Sequence, residues 1–347
     1  MRVWKMADGK LNNEMIEEAA DFLRRGKLVA FPTETVYGLG GDGLNAQALL
    51  EIFQAKGRPA DNPLILHIWN EAQLQELVSE IPDPARQLMA AFWPGPLTLV
   101  LPKSAKVPLE ATAGLMSVAV RMPSHPLALA LIEKAGCPIA APSANLSGKP
   151  SPTEAQAVIE DLDGKIAGII DGGRTEIGLE STVVDCTGRV PVILRPGGIT
   201  AEMLTAVLEE VEIDPGLLDE KAIPKAPGMK YTHYAPAAKV VILEDKKDLA
   251  EALAYGEGQS GKCAFLVPED VMPTIDERFL VVRKGRQGEW QEFGAHFYET
   301  LRRMDREQIE EIFVYSVPEK GLGTAIMNRM RKAAGYRFWK NEKEAAE

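Results

Sequence analysis

Short β-rich runs alternate with helical segments along nearly the whole chain, and this alternation limits the fold more than any other feature of the sequence. The runs VAFPTE, PLILHI, SVAVRMP, STVVDCT and VPVILRP are apolar and bounded by Gly, Pro or Asp, as is typical of strands. Apolar positions at helical spacing predict helices over 11–25 and 44–57, and others near 126–135, 153–161 and 200–210. Alternating strands and helices predict an α/β fold.

The pattern breaks once, at residues 211–238. This stretch contains several prolines and has no sustained period, which is typical of a linker, but it also holds the aromatic and histidine cluster KYTHY. Beyond residue 238, short apolar strands and helical segments alternate again. We therefore expect a first domain over 1–210, a linker or lid over 211–238, and a smaller α/β domain with a parallel sheet over 239–347.

Charge and cysteine content exclude several classes of protein. Residues 1–210 carry 18 Lys and Arg against 26 Asp and Glu, so 18 − 26 = −8, and the whole chain carries −11. Such a balance argues against non-specific nucleic-acid binding as the main role, although a local basic pocket remains allowed. The three cysteines lie far apart and form no zinc motif. With no signal peptide and no membrane span, a cytoplasmic protein is expected.

Two nucleotide-binding motifs are matched only weakly. Gly38 to Gly43 satisfies GxGxxG, but the acidic residue that a dinucleotide site needs is not at the end of the next strand, so a glycine-rich turn is favoured. SGKPS at 147–151 lacks two positions of a Walker motif. The surrounding loop, SANLSGKPSPT, could still cradle a phosphate at a helix start, or Ser151 or Thr153 could simply cap that helix.

Arginines recur at strand termini. Arg121 and Arg195 each end an apolar strand, and Arg58 precedes one, two residues after Lys56. For a single arginine an ion pair with a carboxylate is the more common explanation, but the set favours anion binding. Hydroxyl groups at strand ends, in PTETVYGLG and GLESTVVD, are candidate ligand contacts. Ser181 lacks a nucleophile elbow, so we interpret it as a binding hydroxyl. His67 lies on an apolar strand and is by default a core residue.

Several of these motifs occur together in a known family. KGRPADNPLILHI, FPTETVYGLG, SVAVRMPSHP, APSANLSGKPSPT, GLESTVVD and LRPGG stand in the order of the YrdC-like family. APGMKYTHYAP and the smaller α/β tail resemble the two-domain form of that family, whose members are L-threonylcarbamoyladenylate synthases. The resemblance implies a twisted mixed-sheet first domain, similar to dihydroxybutanone-phosphate synthase, and a smaller Rossmann-like second domain.

The resemblance also implies an activity. It is nucleotidyl transfer: L-threonine, bicarbonate and ATP give threonylcarbamoyl-AMP and pyrophosphate. The product is passed to a tRNA threonylcarbamoyl-transferase complex that modifies adenosine 37 of tRNAs reading ANN codons. Mg²⁺ would be carried by the ATP phosphates, no organic cofactor is implied, and a weak contact with RNA is allowed.

The matching motifs carry site residues over to this chain. Lys56 and Arg58 would form the catalytic phosphate and carbonate environment. The implied L-threonine contacts are Thr35, His67, Arg121, Ala141 and Ser181. The implied ATP contacts are Arg58, Asn62, Ser117, Ser143, Ser151, Arg195, Tyr231 and His233. No protein-held metal and no dedicated general base are expected.

Two other functions remain open from the residues alone. One is carbamoyl transfer from carbamoyl phosphate, as in related hydrogenase-maturation proteins, whose additional zinc-finger cysteines this chain lacks. The other is RNA binding on a concave basic surface, against which the negative charge of the first domain argues. Pyrophosphate release that depends on threonine and bicarbonate would distinguish the synthase from both.

Overall fold

The computed structural model describes residues 1–6, 12–217, 234–258, 261–271, 279–283, 285–286 and 288–346. The chain forms two compact units. The first comprises Met1–Ser147 and Ser151–Tyr231, and the second comprises Gly148–Pro150 and Thr232–Glu347.

The first unit is a mixed sheet with helices. Its strands are β1 (Arg2–Lys5), β2 (Val29–Phe31), β3 (Gly38–Asp42), β4 (Ile65–His67), β5 (Leu97–Pro102), β6 (Ser117–Arg121), β7 (Ile139–Ala140), β8 (Gly168–Asp171), β9 (Thr182–Asp185), β10 (Val192–Arg195) and β11 (Glu212–Ile213). Its helices are α1 (Asn13–Arg24), α2 (Ala46–Lys56), α3 (Glu71–Leu77), α4 (Asp83–Phe92), α5 (Leu109–Thr112), α6 (Pro126–Ala135), α7 (Ala155–Leu162) and α8 (Ala201–Thr205).

The strand order is β1-β8-β2-β3-β7-β4-β6-β5-β9-β10-β11. Parallel pairs such as β4 with β6 alternate with antiparallel pairs such as β5 with β6. β11 lies within the stretch predicted as a linker and pairs with β10. The mixed-sheet fold expected for the first domain is thereby confirmed.

Local sequence explains where the helices begin and end. Asn12 caps α1 through its side chain, which accepts from the amides of Glu14 and Met15. Asn45 caps α2 in the same way, and α2 ends at Gly57 in the left-handed conformation, with φ of 60°. Capping of α7 by Ser151 or Thr153, one of the two alternatives for this loop, is not observed: the helix begins after Glu154, which makes no side-chain cap, and Ser151 donates to Glu180.

Buried clusters cover both faces of the sheet. Val29 and Phe31 belong to a cluster that includes α1 and α6, whereas Ala30, between them, belongs to a cluster that includes α2, α4 and α7. Successive residues of a strand point to opposite faces, so the two clusters lie on opposite sides of β2.

The glycine-rich segment Gly38–Asp42 is a buried strand, and the predicted turn is wrong. It pairs antiparallel with β2 and β7. A Cβ atom on Gly40 would lie 2.8 Å from the Phe31 ring and 2.9 Å from the Val29 carbonyl oxygen. The glycine is therefore required for close packing within the sheet, not for a phosphate loop.

The second unit is a smaller α/β structure. Its strands are β12 (Lys239–Leu243), β13 (Cys263–Val267), β14 (Leu280–Arg283) and β15 (Glu311–Tyr315), and its helices are α9 (Lys246–Gly258), α10 (Trp290–Arg306), α11 (Leu322–Ala334) and α12 (Trp339–Ala346). The order β12-β15-β13-β14 is parallel throughout, which confirms the predicted parallel sheet. Within the described segments, no helix combines the length and apolarity that crossing a membrane requires.

Candidate active site

The central strands of the first unit share one face that carries polar side chains among small apolar ones. We call this the site face and define it by Ser117, Ala119 and Arg121 of β6, which alternate with residues facing the other way. Ala119 belongs to a small buried cluster with Ile65, Val100, Val183 and Leu194. Four residues of extended strand span about 13 Å, so Ser117 and Arg121 mark two ends of the site face.

Arg121 lies at the first end and is 3% exposed. Its Nε donates to the Gly95 carbonyl at 3.2 Å, and its Nη1 donates to the Thr35 hydroxyl at 2.9 Å. Its Nη2 lies 2.6 Å from the Glu34 carboxylate. Partners on three sides fix the guanidinium in one orientation, as recognition of a planar carboxylate requires.

Hydrogen-bond directions at Thr35 follow from counting protons. Thr33 donates its hydroxyl proton to the Val36 carbonyl at 2.7 Å. The 2.7 Å contact between the Thr33 and Thr35 hydroxyls must therefore use the Thr35 proton. Since Thr35 also accepts from Arg121, its oxygen faces a ligand only as an acceptor, which suits an ammonium or hydroxyl donor.

His67 is buried beside Arg121, its register partner on β6. Its ring meets Phe31 edge to face, with 6.5 Å between ring centroids. Burial, together with the charge of Arg121, lowers the pKa of His67 to about 3. The imidazole is consequently neutral, and the charges that act on it are those of Arg121 and Glu34.

Ser181 approaches the same end, and Ala141 lies beside the middle of the site face, level with Ala119. The Ala141 amide donates to the Ile65 carbonyl at 3.0 Å, which places it beside β4. The Ser181 hydroxyl lies 2.8 Å from that of Thr98 and accepts from Arg195 Nη2 at 3.0 Å. Thr98 is the register partner of Arg121 on β5. The five implied threonine contacts thus lie around β4, β5 and β6. Arg195 contacts one of them, Ser181.

Lys56 and Arg58 lie near the other end, before β4. Arg58 Nη2 donates to the carbonyls of Asn62 and Pro63, at 3.3 and 3.1 Å. Lys56 is 3% exposed and donates from Nζ to the carbonyls of Ser143 and Asn145, at 2.5 and 2.6 Å. Lys56 thereby holds the loop that contains the implied nucleotide contact Ser143.

Ser151 and Ser117 complete the implied nucleotide set. Ser151, 1% exposed, donates to the Glu180 carboxylate at 2.6 Å. Its proton is committed, so the Ser151 oxygen can only accept from a ligand. Ser117 is half-buried at the start of β6. Tyr231 and His233 lie outside the described residues.

Three polar residues of the site were absent from the predicted set. They are Glu34, Thr98 and Glu180. Thr98 could have been found, because it is a polar residue within the apolar strand LTLVLP. Glu34 and Glu180 are adjacent to predicted contacts, but a sequence does not tell which carboxylates are buried against them. Among the described residues, no cluster of three or more His, Cys, Asp or Glu side chains could hold a metal ion.

Comparison with known proteins agrees with this architecture. The family model described as "Telomere recombination" matches residues 21–197, and that described as "Threonylcarbamoyl-AMP synthase, C-terminal domain" matches residues 199–335. The chain is 49% identical to a threonylcarbamoyl-AMP synthase of Bacillus subtilis, over 94% of each chain. It is 52% identical to that of Pyrococcus abyssi, over 94% of this chain and 97% of the other.

A solved structure extends the likeness to three dimensions. The crystal structure of P. abyssi Sua5 complexed with L-threonine superposes with a TM-score of 0.91 at 48% identity, covering 97% of this chain and 98% of that one. The matching family models, the full-length relatives and the shared two-domain fold lead to one conclusion: the chain belongs to the threonylcarbamoyl-AMP synthase family.

Proposed function

We propose that this protein is an L-threonylcarbamoyladenylate synthase, which condenses L-threonine, bicarbonate and ATP to threonylcarbamoyl-AMP and pyrophosphate. The observation that carries the proposal is the division of the site face. An oriented arginine lies at one end, and a lysine and an arginine lie near the other; the two ends are separated by four residues of β6, about 13 Å of extended strand. That separation suits a small amino acid joined to a nucleotide. Full-length relatives with this name support the same reaction.

The reaction consists of two bond-forming steps. The threonine amine attacks bicarbonate, which loses water, or attacks CO₂ directly, and gives a carbamate. A carbamate oxygen then attacks the α-phosphorus of ATP, and pyrophosphate leaves. Bicarbonate, the threonine carboxylate and the triphosphate are all anionic, so the protein's main tasks are to orient them and to offset their charge.

Named residues take these tasks in our proposal. Arg121 holds the threonine carboxylate, and Thr35 accepts a hydrogen bond from the amine or the hydroxyl group. Ala141, Ser181 and the neutral His67 complete the surroundings of the amino acid.

At the other end, Arg58 and Asn62 face the triphosphate, and Lys56 holds the 143–147 loop against it. Ser143 and Ser117 contact the nucleotide there. Arg195, which is bonded to Ser181 at the threonine end, contacts the nucleotide from that end, and Ser151 completes the set. Tyr231 and His233 remain predictions from the resemblance.

Magnesium arrives on the ATP phosphates in this proposal. The donors fit that arrangement, because the two buried carboxylates of the site are already engaged: Glu34 by Arg121 and Glu180 by Ser151. Mg²⁺ bound to phosphates with water ligands would offset the charge of the triphosphate. The proton leaving the threonine amine passes to phosphate, carbonate or water.

The product would then be used by a tRNA threonylcarbamoyl-transferase complex that acts on adenosine 37, which is consistent with a cytoplasmic location. The RNA-binding and carbamoyl-phosphate hypotheses are not favoured by any contact in the site. Direct RNA contact by this chain would be secondary to the synthase activity.

The test is pyrophosphate release from ATP by the purified full-length protein. We expect release only when both L-threonine and bicarbonate are present. Release that does not need bicarbonate would indicate simple amino-acid adenylation, and release from ATP that depends on carbamoyl phosphate in place of L-threonine and bicarbonate would favour the carbamoyl-transfer alternative. A protein that shifts RNA but releases no pyrophosphate would refute the proposal.

A further inference from the structure

The threonine end of the site face contains a buried ion pair. The side chains of Glu34 and Arg121 are each 4% exposed, and 2.6 Å separates Glu34 Oε1 from Arg121 Nη2. A buried charge is costly unless it is matched, so each member of this pair makes the other tolerable.

Both members are charged at neutral pH. Burial alone would raise the pKa of Glu34, but the positive charge of Arg121 beside it outweighs burial, and the pKa is lowered. The two histidines that feel the charge of Glu34 have lowered pKa values because they are buried. They are His67 and His125, and they add no positive charge at neutral pH.

The pair is therefore electrically neutral before a ligand binds. A plain carboxylate placed on Arg121 would leave the buried group with a net charge of −1. An amino-acid zwitterion would leave it at zero, because its ammonium offsets the added carboxylate. In a region of low effective dielectric this difference matters far more than it does in water.

We propose that Glu34 is a positioning and specificity-determining residue, which makes the Arg121 subsite select an amino-acid zwitterion over a carboxylate anion of the same shape. Glu34 acts through Arg121, with which it is paired. The inference rests on the proposed function, since it takes Arg121 as the carboxylate contact.

Calorimetric titration of the full-length protein tests the inference. The ligands are L-threonine and (R)-3-hydroxybutanoate, which lacks only the amino group, each titrated with and without a non-hydrolysable ATP analogue. We expect the wild type to bind L-threonine at least tenfold more tightly. In Glu34→Gln the uncompensated arginine should bind 3-hydroxybutanoate about tenfold more tightly than the wild type does, while L-threonine binding weakens.

Opposite changes for the two ligands distinguish charge selection from a structural role. A merely structural Glu34 would weaken both ligands in parallel when replaced, and that result would overturn the inference. Glu34→Asp keeps the charge and should keep the preference for L-threonine.

The wild type provides a test that does not depend on folding of a variant. L-Threoninamide carries only the positive charge, and 3-hydroxybutanoate carries only the negative one. Both should bind at least tenfold more weakly than L-threonine, and equal affinity for 3-hydroxybutanoate would overturn the inference. A wild type that binds no L-threonine would instead refute the proposed function itself.

Discussion

The two ends of the site face hold their cations by different means. Arg121 faces the Glu34 carboxylate, whereas Lys56 and Arg58 donate to main-chain carbonyls. The Glu34 carboxylate cancels the formal charge of Arg121, and the main-chain carbonyls fix the side chains of Lys56 and Arg58 in place. We expect the end with the paired arginine to receive a zwitterion and the end with two neighbouring cations to receive a polyanion.

The largest effect should come from removing a cation at the polyanion end. Arg58→Ala is expected to lower kcat for pyrophosphate release by about 10²- to 10³-fold, because the transition state loses charge stabilisation. Arg58 is only half-buried, and its hydrogen bond to the Asn62 carbonyl lies within its own loop. We therefore expect the fold to persist in Arg58→Ala. Steady-state pyrophosphate release and circular dichroism measure the two quantities.

Arg189→Ala is the matched control for Arg58→Ala, since Arg189 is an exposed arginine between β9 and β10 of the same unit. It should leave kcat unchanged. Normal activity in Arg58→Ala would show that Arg58 is not the cation that stabilises the charge of the triphosphate.

Lys56→Met should affect stability as well as activity. The change removes two charge-assisted hydrogen bonds and leaves the Ser143 and Asn145 carbonyls without their donor. We expect a loss of about 2 kcal/mol in the free energy of unfolding, a weaker affinity for ATP and an unchanged affinity for L-threonine.

Denaturant unfolding and calorimetry would check this prediction. Lys103→Met is the control, because Lys103 is only half-buried and donates to a single carbonyl, that of Val107, at 3.2 Å. Equal losses in affinity for ATP and L-threonine would mean that the two ends are not independent.

His67 provides a pH test of the threonine end. Its folded pKa of about 3 lies below the ordinary 6.5, so the unfolded chain binds more protons between these values. Stability from this group is full above pH 6.5 and is lost as pH falls, by about 1.4 kcal/mol at pH 5.5. Between pH 7.5 and 5.5, the free energy of unfolding should therefore decline by about 1.4 kcal/mol less in His67→Gln than in the wild type.

His125 also has a lowered pKa because it is buried, but it is present in both proteins and cancels in the comparison. Parallel pH curves for the wild type and His67→Gln would show that the imidazole has an ordinary pKa. The neutral state assigned to the threonine end would then be wrong.

Ser151→Ala should have the smallest effect. It removes one acceptor for the nucleotide and one donor to Glu180. We expect KM for ATP to rise about fivefold, equivalent to about 1 kcal/mol, with KM for L-threonine unchanged. A larger change in KM for L-threonine than for ATP would mean that Ser151 contacts L-threonine and not the nucleotide.

Much of this architecture was predictable because local patterns and packing agree. The two-domain α/β fold, the helix ending at Gly57 and the strands ending at Arg121 and Arg195 all follow from periodicity and breakers, and the structure confirms them. Gly38–Asp42 was predicted wrongly as a turn. Glycine disfavours strands intrinsically, and only the closeness of Phe31 and Val29 makes it necessary there.

The site itself was less accessible to sequence reasoning. Strand-end arginines could be recognised along the chain, but the order β7-β4-β6-β5-β9, which places His67 and Thr98 beside Arg121, is set by tertiary packing. The Glu34 pairing depends on the same strand order. Ser151 suited a helix cap by position, but α7 begins only after Glu154, and the Ser151 hydroxyl instead donates to the Glu180 carboxylate.

The most direct measurement is identification of the product made from ¹³C-bicarbonate, L-threonine and ATP. If the two ends of the site face join an amino acid to a nucleotide through a carbamate, mass spectrometry will detect threonylcarbamoyl-AMP. Its mass will be one unit higher than the product from unlabelled bicarbonate, and it will appear together with pyrophosphate. An unlabelled threonyl-AMP, or AMP formation without any threonine adduct, would contradict the account.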